Sequence, residues 1–94
     1  MKIERLVWDN WNVLHIARHH LTPDQVEEVC QGDPLIQVTY TRRFLLTGPT
    51  SEGTMFSVVL EPEDDQGTYY VVTARSASRK ERQSYQQQKG GGAP

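Results

Sequence analysis

A cluster of basic residues has the types and spacing that suit the binding of a phosphate group. Its members are Arg43, Arg75, Arg79, Lys80 and Arg82. Arg75 is predicted to follow the last strand and to precede a helix, where free N–H groups and the helix dipole favour anions. An arginine there adds paired donors that match a phosphate. The cluster predicts a phosphate-binding site at the last strand–helix turn.

RNA is a substrate that such a site can cleave without a metal ion or a cofactor. An RNA phosphodiester carries its own nucleophile, the adjacent 2′-OH. The enzyme then has to position the strand, supply a general acid and a general base, and neutralise the developing negative charge. The basic cluster supplies the neutralising charge, so this hypothesis requires no metal and no cofactor.

Two histidines four residues apart offer either metal binding or proton transfer. His15 and His19 are expected on one face of the first helix, which is the spacing of half a zinc site. Ile16 stands where a helical metalloprotease motif has glutamate, and no third ligand has a supporting spacing. The alternatives are acid–base chemistry near neutral pH, and a structural role with one histidine bound to the loop before Thr22 and the other exposed.

Composition indicates one small domain in a reducing compartment. The chain has 94 residues, of which 36% are hydrophobic, enough for a single thin core. Its only cysteine, Cys30, cannot form an internal disulfide and is predicted to be a buried hydrophobe, so a cytoplasmic location is expected. No apolar run approaches the roughly 20 residues that span a bilayer, and the N-terminus lacks a signal peptide, so no membrane partner is expected.

Charge is distributed unevenly along the chain. Ten basic and twelve acidic residues exclude a uniformly basic nucleic-acid-binding protein. Residues 75–89, however, contain five basic residues against Glu81 alone. Such a segment is either a solvated helix face or a patch that faces phosphate or an acidic partner.

The elements that must position these residues follow the order α-α-β-β-β-β-α. Ile3–Trp8 is a possible short extended segment. Asp9 or Asn10 caps a first helix that runs to about His20, with a core stripe of Val13, Leu14, Ile16 and Ala17. Thr22 begins a second helix as part of a capping box with Gln25, and this helix runs to about Cys30.

The second half of the chain changes to the pattern of strands. Four short segments rich in β-branched and aromatic residues predict an antiparallel meander: residues 35–40, 43–47, 55–60 and 68–73. Ser78 with Glu81 forms a capping box for a third helix from about Arg79 to Gln88. The prediction is therefore an α+β fold, with one domain over residues 1–88 and a flexible Gly-rich tail over residues 89–94.

The sequence resembles the BrnT family of ribonuclease toxins, which are small partners in type II toxin–antitoxin pairs. The resemblance spans about residues 7–86, and its most specific part is residues 72–85, where Ala-Arg precedes a basic helix with Glu-Arg and Tyr. The other matching features are Trp8-Asp9, Arg18-His19, Asp33-Pro34, Arg43 through Gly48, and Gly53.

The resemblance implies a RelE-like fold, cleavage of RNA, and inhibition by a bound antitoxin that also binds DNA. The expected assembly is either a homodimer, since a short sheet in a small domain has exposed edges that can pair, or a toxin–antitoxin heterotetramer. Arg43, Arg75, Arg79 and Arg82 would bind phosphate or stabilise the transition state. His19 and Tyr85 would transfer protons or have structural roles.

Four positions depart from the family pattern, and they leave a second hypothesis open. Each departure removes a cation or alters a loop beside the expected site: Pro49 after Gly48, Thr54 after Gly53, His20 in place of Gly, and Ser76 after Arg75. The alternative is a weak or inactive binding module that acts through its basic C-terminal helix.

Overall fold

The computed structural model describes residues 1–90, which form one mixed sheet and three α-helices. In chain order the elements are β1 (Arg5–Val7), α1 (Asn10–Ala17), α2 (Pro23–Gln31), β2 (Leu35–Val38), β3 (Phe44–Pro49), β4 (Met55–Pro62), β5 (Thr68–Ser76) and α3 (Arg79–Tyr85). A π-helical turn, Gln86–Gly90, continues α3. The α+β class predicted from the sequence is confirmed.

The sheet has five strands in the order β1-β5-β4-β3-β2, one more than the sequence predicted. Strands β2 to β5 form the expected antiparallel meander. The additional strand, β1, lies parallel to β5, and Arg5 pairs with Thr68. The prediction of four antiparallel strands was wrong because β1 is three residues long and its partner is distant in sequence. Local periodicity does not encode such a pairing.

The two faces of the sheet differ in chemistry because side chains alternate along each strand. One face is apolar and packs on α1 and α2. Its buried residues include Leu46, Phe56, Val58, Leu60, Val71 and Ala74, which form the core together with Ile16, Leu21, Val26 and Val29. The opposite face carries Thr47, Ser57 and Arg75, and α3 covers this polar region. We call it the polar face.

The three α-helices of residues 1–90 each begin at a capping box, which the sequence indicated for α2 and α3 but not for α1. The pairs are Asp9 with Asn12, Thr22 with Gln25, and Ser78 with Glu81. In each pair, the cap side chain accepts a hydrogen bond from the backbone N–H of the third helical residue, whose own side chain accepts from the N–H of the cap residue.

Some element ends differ from the prediction. Helix α1 ends at Ala17, three residues early, and His20 follows in the left-handed region with φ of +66°. Strand β5 continues to Ser76, so Arg75 lies within the strand and not after it. Lys89 and Gly90, which were assigned to the tail, belong to the helical turn, and residues 91–94 of that tail lie outside the described residues.

The predicted core stripe of α1 was largely wrong. Of its members only Ile16 is buried, whereas Leu14 is 66% exposed and Val13 and Ala17 are partly or fully exposed. The second fully buried residue of α1 is Asn12. Its Nδ2 donates to the carbonyl oxygens of Val7 and Val71, and its Oδ1 accepts from the N–H of Asp9. Hydrophobic patterning missed Asn12 because hydrogen bonds, not apolar contacts, account for its burial.

We expect Asn12→Ala to lower the free energy of unfolding by about 2–4 kcal/mol, because it leaves two carbonyls and one N–H without their partner. Denaturation in urea measures the change. Asn10→Ala is the matched control, since Asn10 is exposed in the same helix, and it should change the free energy by less than about 0.5 kcal/mol. Equal effects of the two substitutions would contradict the role given to Asn12.

Candidate functional site

The carboxylate of Glu81 attaches α3 to the polar face. It accepts hydrogen bonds from Nη1 and Nη2 of Arg75 at 2.7 and 2.8 Å, from Oγ of Ser57 at 2.8 Å and from the N–H of Ser78 at 2.8 Å. Ser57 is itself buried and lies 2.9 Å from the hydroxyl of Thr47. One side chain thus caps the helix and also binds it to two neighbouring strands.

The same contacts shift two pKa values. Hydrogen bonds from Arg75, and then from Ser78 and Ser57, lower the pKa of Glu81 from 4.5 to about 2. In return, the hydrogen bond to Glu81 raises the pKa of Arg75. Both groups are therefore charged at any physiological pH. Arg75 donates two hydrogen bonds to the carboxylate of Glu81, as it was predicted to do to a phosphate.

Arg75 nevertheless keeps access to solvent. Its side chain is 41% exposed, whereas that of Glu81 is 16% exposed. The guanidinium group has five N–H donors, and the two bonds to Glu81 together with a 3.3 Å contact to the carbonyl of Ser76 leave donors for a ligand. An anion at the polar face can therefore bind Arg75 without first displacing Glu81.

The structure does not bring Arg43 to Arg75. Arg43 directly precedes Phe44, which pairs with Leu60 near the end of β4. Arg75 instead pairs with Ser57, near the start of β4. Along the strands the two arginines are about 13 Å apart. The Nε of Arg43 lies 3.2 Å from the carboxylate of Glu61. The five cations of the predicted cluster are therefore not one site.

The remaining cations lie on the outer side of α3. Arg79, Lys80 and Arg82 are exposed, whereas Glu81 and Tyr85 are half-buried on the inner side. Arg82 donates from Nη1 to the carbonyl of Ala77 at 3.2 Å. Within residues 1–90, Arg79 and Lys80 form no ion pair. This row of exposed cations is called the basic face of α3.

The histidine that contacts the sheet is His15 and not His19. The Nε2 of His15 lies 3.1 Å from Oγ1 of Thr73, and its ring stacks on Trp11 with centroids 4.9 Å apart and planes 10° apart. His19 is exposed beyond the end of α1, and the centroid of its ring lies 5.8 Å from that of His15. In the described part of the chain, no group of three metal-ligating side chains accompanies these histidines.

His15, Thr73 and Arg75 consequently lie along one side of β5. Thr73 and Arg75 are two residues apart, so their side chains share the polar face and are separated by about 6.6 Å along the strand. Sequence reasoning named Arg75, considered His15 only together with His19, and missed Thr73. The signal for Glu81 was present as a capping box, but nothing in the local sequence indicated that its carboxylate also binds β4 and β5.

A search against protein-family models, a search of curated proteins and a search of solved structures each found no match to this chain. Over residues 1–90, no helix has both the length and the apolar character needed to cross a membrane.

The low pKa of Glu81 predicts a specific acid sensitivity. Because folding lowers this pKa from 4.5 to about 2, the carboxylate contributes its full stabilisation above pH 4.5 and loses it as the pH falls towards 2. We expect the free energy of unfolding of the wild type to fall over this interval more steeply than that of Glu81→Gln, which keeps the helix cap but cannot titrate. Urea unfolding at a series of pH values measures both slopes.

Glu28→Gln is the control for this experiment. The pKa of Glu28 is also lowered, through hydrogen bonds from Ser51, but the group is fully exposed. Removing its charge should leave the steep acid dependence in place. Parallel pH profiles for wild type and Glu81→Gln would refute the assignment.

Proposed function

We propose that this chain is a toxin-like endoribonuclease of a type II toxin–antitoxin pair, which cleaves RNA without a metal ion and is inhibited by a bound antitoxin. The observation that supports the proposal most is the contact of His15 on α1 with Thr73, which lies two residues before Arg75 on β5. An imidazole for proton transfer and a guanidinium group for charge stabilisation are the groups that such a cleavage requires.

In this mechanism His15 accepts the proton of the 2′-OH, whose oxygen attacks the phosphorus. The bond between the phosphorus and the 5′-oxygen breaks, the 5′-oxygen takes a proton from water, and a 2′,3′-cyclic phosphate is left on the RNA. Thr73 is a positioning residue whose hydroxyl holds Nε2 of His15. Arg75 binds the scissile phosphate and stabilises the negative charge that develops on it. Arg79, exposed at the start of α3, is the residue that we propose to contact a neighbouring phosphate.

The roles proposed from the resemblance change in two ways. His15 replaces His19 as the proton-transfer residue, because His19 does not contact the sheet. Tyr85 is half-buried on the inner side of α3, one turn after Glu81, so we propose a structural role for it. The resemblance itself is supported by His20, whose φ of +66° is a conformation that favours the glycine of the family pattern.

Arg75→Gln is expected to lower RNA cleavage about 100-fold or more, as for other losses of a group that stabilises a developing anion. Ser57 and the N–H of Ser78 still donate to Glu81 in this variant, which preserves the attachment of α3. Cleavage of a labelled RNA by purified protein, together with growth arrest after induced expression in bacteria, measures the effect. Circular dichroism checks that the variant is folded.

Two variants serve as controls for this prediction. Glu81→Gln releases the guanidinium group from its carboxylate and should cleave at least as well as the wild type. Arg5→Gln removes an exposed arginine from β1 and should have no effect. A folded Arg75→Gln variant with undiminished cleavage would disprove the proposed role of Arg75.

The alternative function, a binding module without catalysis, is favoured by the ion pair between Arg75 and Glu81. This pair uses part of the cation that catalysis requires, while the basic face of α3 stays open to solvent. The module would bind RNA or an acidic protein through Arg79 and Lys80. Its possible dimerisation stays a prediction; the edge strand β2 exposes Val38, at 71% of its surface, to such a partner.

Binding through the basic face of α3 predicts a characteristic salt dependence. The double variant Arg79→Gln/Lys80→Gln should lower the affinity for single-stranded RNA and reduce the slope of log K against log salt by about 1.4, or about 0.7 for each phosphate contact. Fluorescence anisotropy at several salt concentrations measures the slope. The control, Lys2→Gln/Arg5→Gln, removes the same charge near β1, and an equal change of slope would indicate attraction that is not specific to α3.

A further inference from the structure

Helix α1 exposes a tryptophan that does not pack into the hydrophobic core. Trp11 is 62% exposed and Leu14, three residues later, is 66% exposed. The other tryptophan differs, since Trp8 packs against the core and donates its indole N–H to Glu27 at 3.0 Å. Large apolar groups that stand together in water indicate a binding surface.

These residues line a small cavity with mixed chemistry. Trp11, Leu14, His15 and Arg18 follow one side of α1 and line a cavity of about 150 Å³ that is partly open to solvent. The walls offer a flat indole, an aliphatic group, an imidazole and a guanidinium group. A volume of this size admits one planar ring and its substituents, and it is too small for a helix or a folded loop of another protein.

We propose that this cavity is a nucleobase subsite in which Trp11 stacks on a base of single-stranded RNA. Stacking on an aromatic ring accepts any base, because every base has a π face. Arg18 supplies a cation for a phosphate or for a second stacking contact. This inference rests on the proposed function, because it identifies the bound base as a neighbour of the phosphodiester on which His15 and Arg75 act.

The position of His15 connects the subsite to the polar face. Its ring is a wall of the cavity and stacks on Trp11, while its Nε2 contacts Thr73 on β5. A base held against Trp11 therefore brings its own ribose and phosphate close to His15. The stack also limits rotation of the imidazole, so base binding and orientation of His15 depend on the same ring pair.

Fluorescence of Trp11 tests the subsite directly. The chain has two tryptophans, so Trp8→Phe leaves Trp11 as the single reporter. The probe is a short oligouridylate with 2′-O-methyl riboses, which cannot be cleaved because the nucleophile is blocked. We expect saturable quenching of Trp11 emission, and no quenching when a sugar–phosphate oligomer without bases is used.

Substitution of Trp11 measures how much its stacking contributes to the affinity for RNA. Trp11→Leu keeps an apolar side chain but cannot stack, and it should weaken binding of the oligouridylate about 5- to 150-fold, the range for the loss of one aromatic stack on a base. Trp11→Tyr should restore most of the affinity. Leu14→Ala is the control for general loss of apolar surface and should have a smaller effect than Trp11→Leu.

A double-mutant cycle then identifies the partner of Trp11. The affinities of wild type and of Trp11→Leu are measured for a set of oligouridylates, each of which lacks the base at one position. If Trp11 stacks on a particular base, loss of that base should weaken binding to the wild type but should not weaken binding to Trp11→Leu any further. Additive effects at every position, or no effect of Trp11→Leu on binding, would overturn the subsite and would leave a protein partner as the occupant of this surface.

Parallel cleavage of unmodified RNA separates this inference from the proposed function. If wild type binds with quenching and the cycle shows coupling but no RNA is cleaved, the catalytic proposal fails and the base subsite stands. If RNA is cleaved while Trp11→Leu binds and cleaves like the wild type, the subsite fails and the catalytic proposal stands.

Discussion

The arrangement of the polar face depends on the carboxylate of Glu81. Four donors converge on it, from Arg75, Ser57 and Ser78, so one group fixes the position of α3 on β4 and β5. A helix of seven residues has little stability of its own, and here the anchoring contact to the sheet coincides with the helix cap. This contact therefore also sets the direction in which the basic face of α3 points.

This anchor also sets the electrostatics of the candidate site. The carboxylate that positions α3 uses two donors of Arg75, the residue proposed to hold the scissile phosphate. One guanidinium group thus anchors α3 through two of its N–H donors and keeps others for a ligand. The exposed part of Arg75 and the cations of α3 stay accessible to an anionic ligand, whereas Arg43 is distant and paired with Glu61.

A second set of hydrogen bonds attaches α1 to the sheet. Asn12 connects the helix to the end of β1 and to the middle of β5 through hydrogen bonds to Val7 and Val71, and His15 contacts Thr73 about one turn later. With this side of α1 held against β5, Trp11 stays outside the core and stacks on His15. The fold therefore places an aromatic surface beside a row of polar groups, the combination expected for a strand of RNA that is held by both its bases and its phosphates.

Much of the fold was predictable from local sequence. The capping boxes at Thr22 and Ser78 specify helix starts through contacts over three residues, and the strand segments carry their own β-branched pattern. The sequence by itself therefore determined the helices, the antiparallel meander and the basic charge of α3. It left open β1, the burial of Asn12 and the partner of Arg75, because these depend on residues far apart in the chain. Only the tertiary structure decided that Arg75 faces Glu81 and that His15, not His19, reaches β5, since hydrogen bonds between distant segments leave no periodic signal in the sequence.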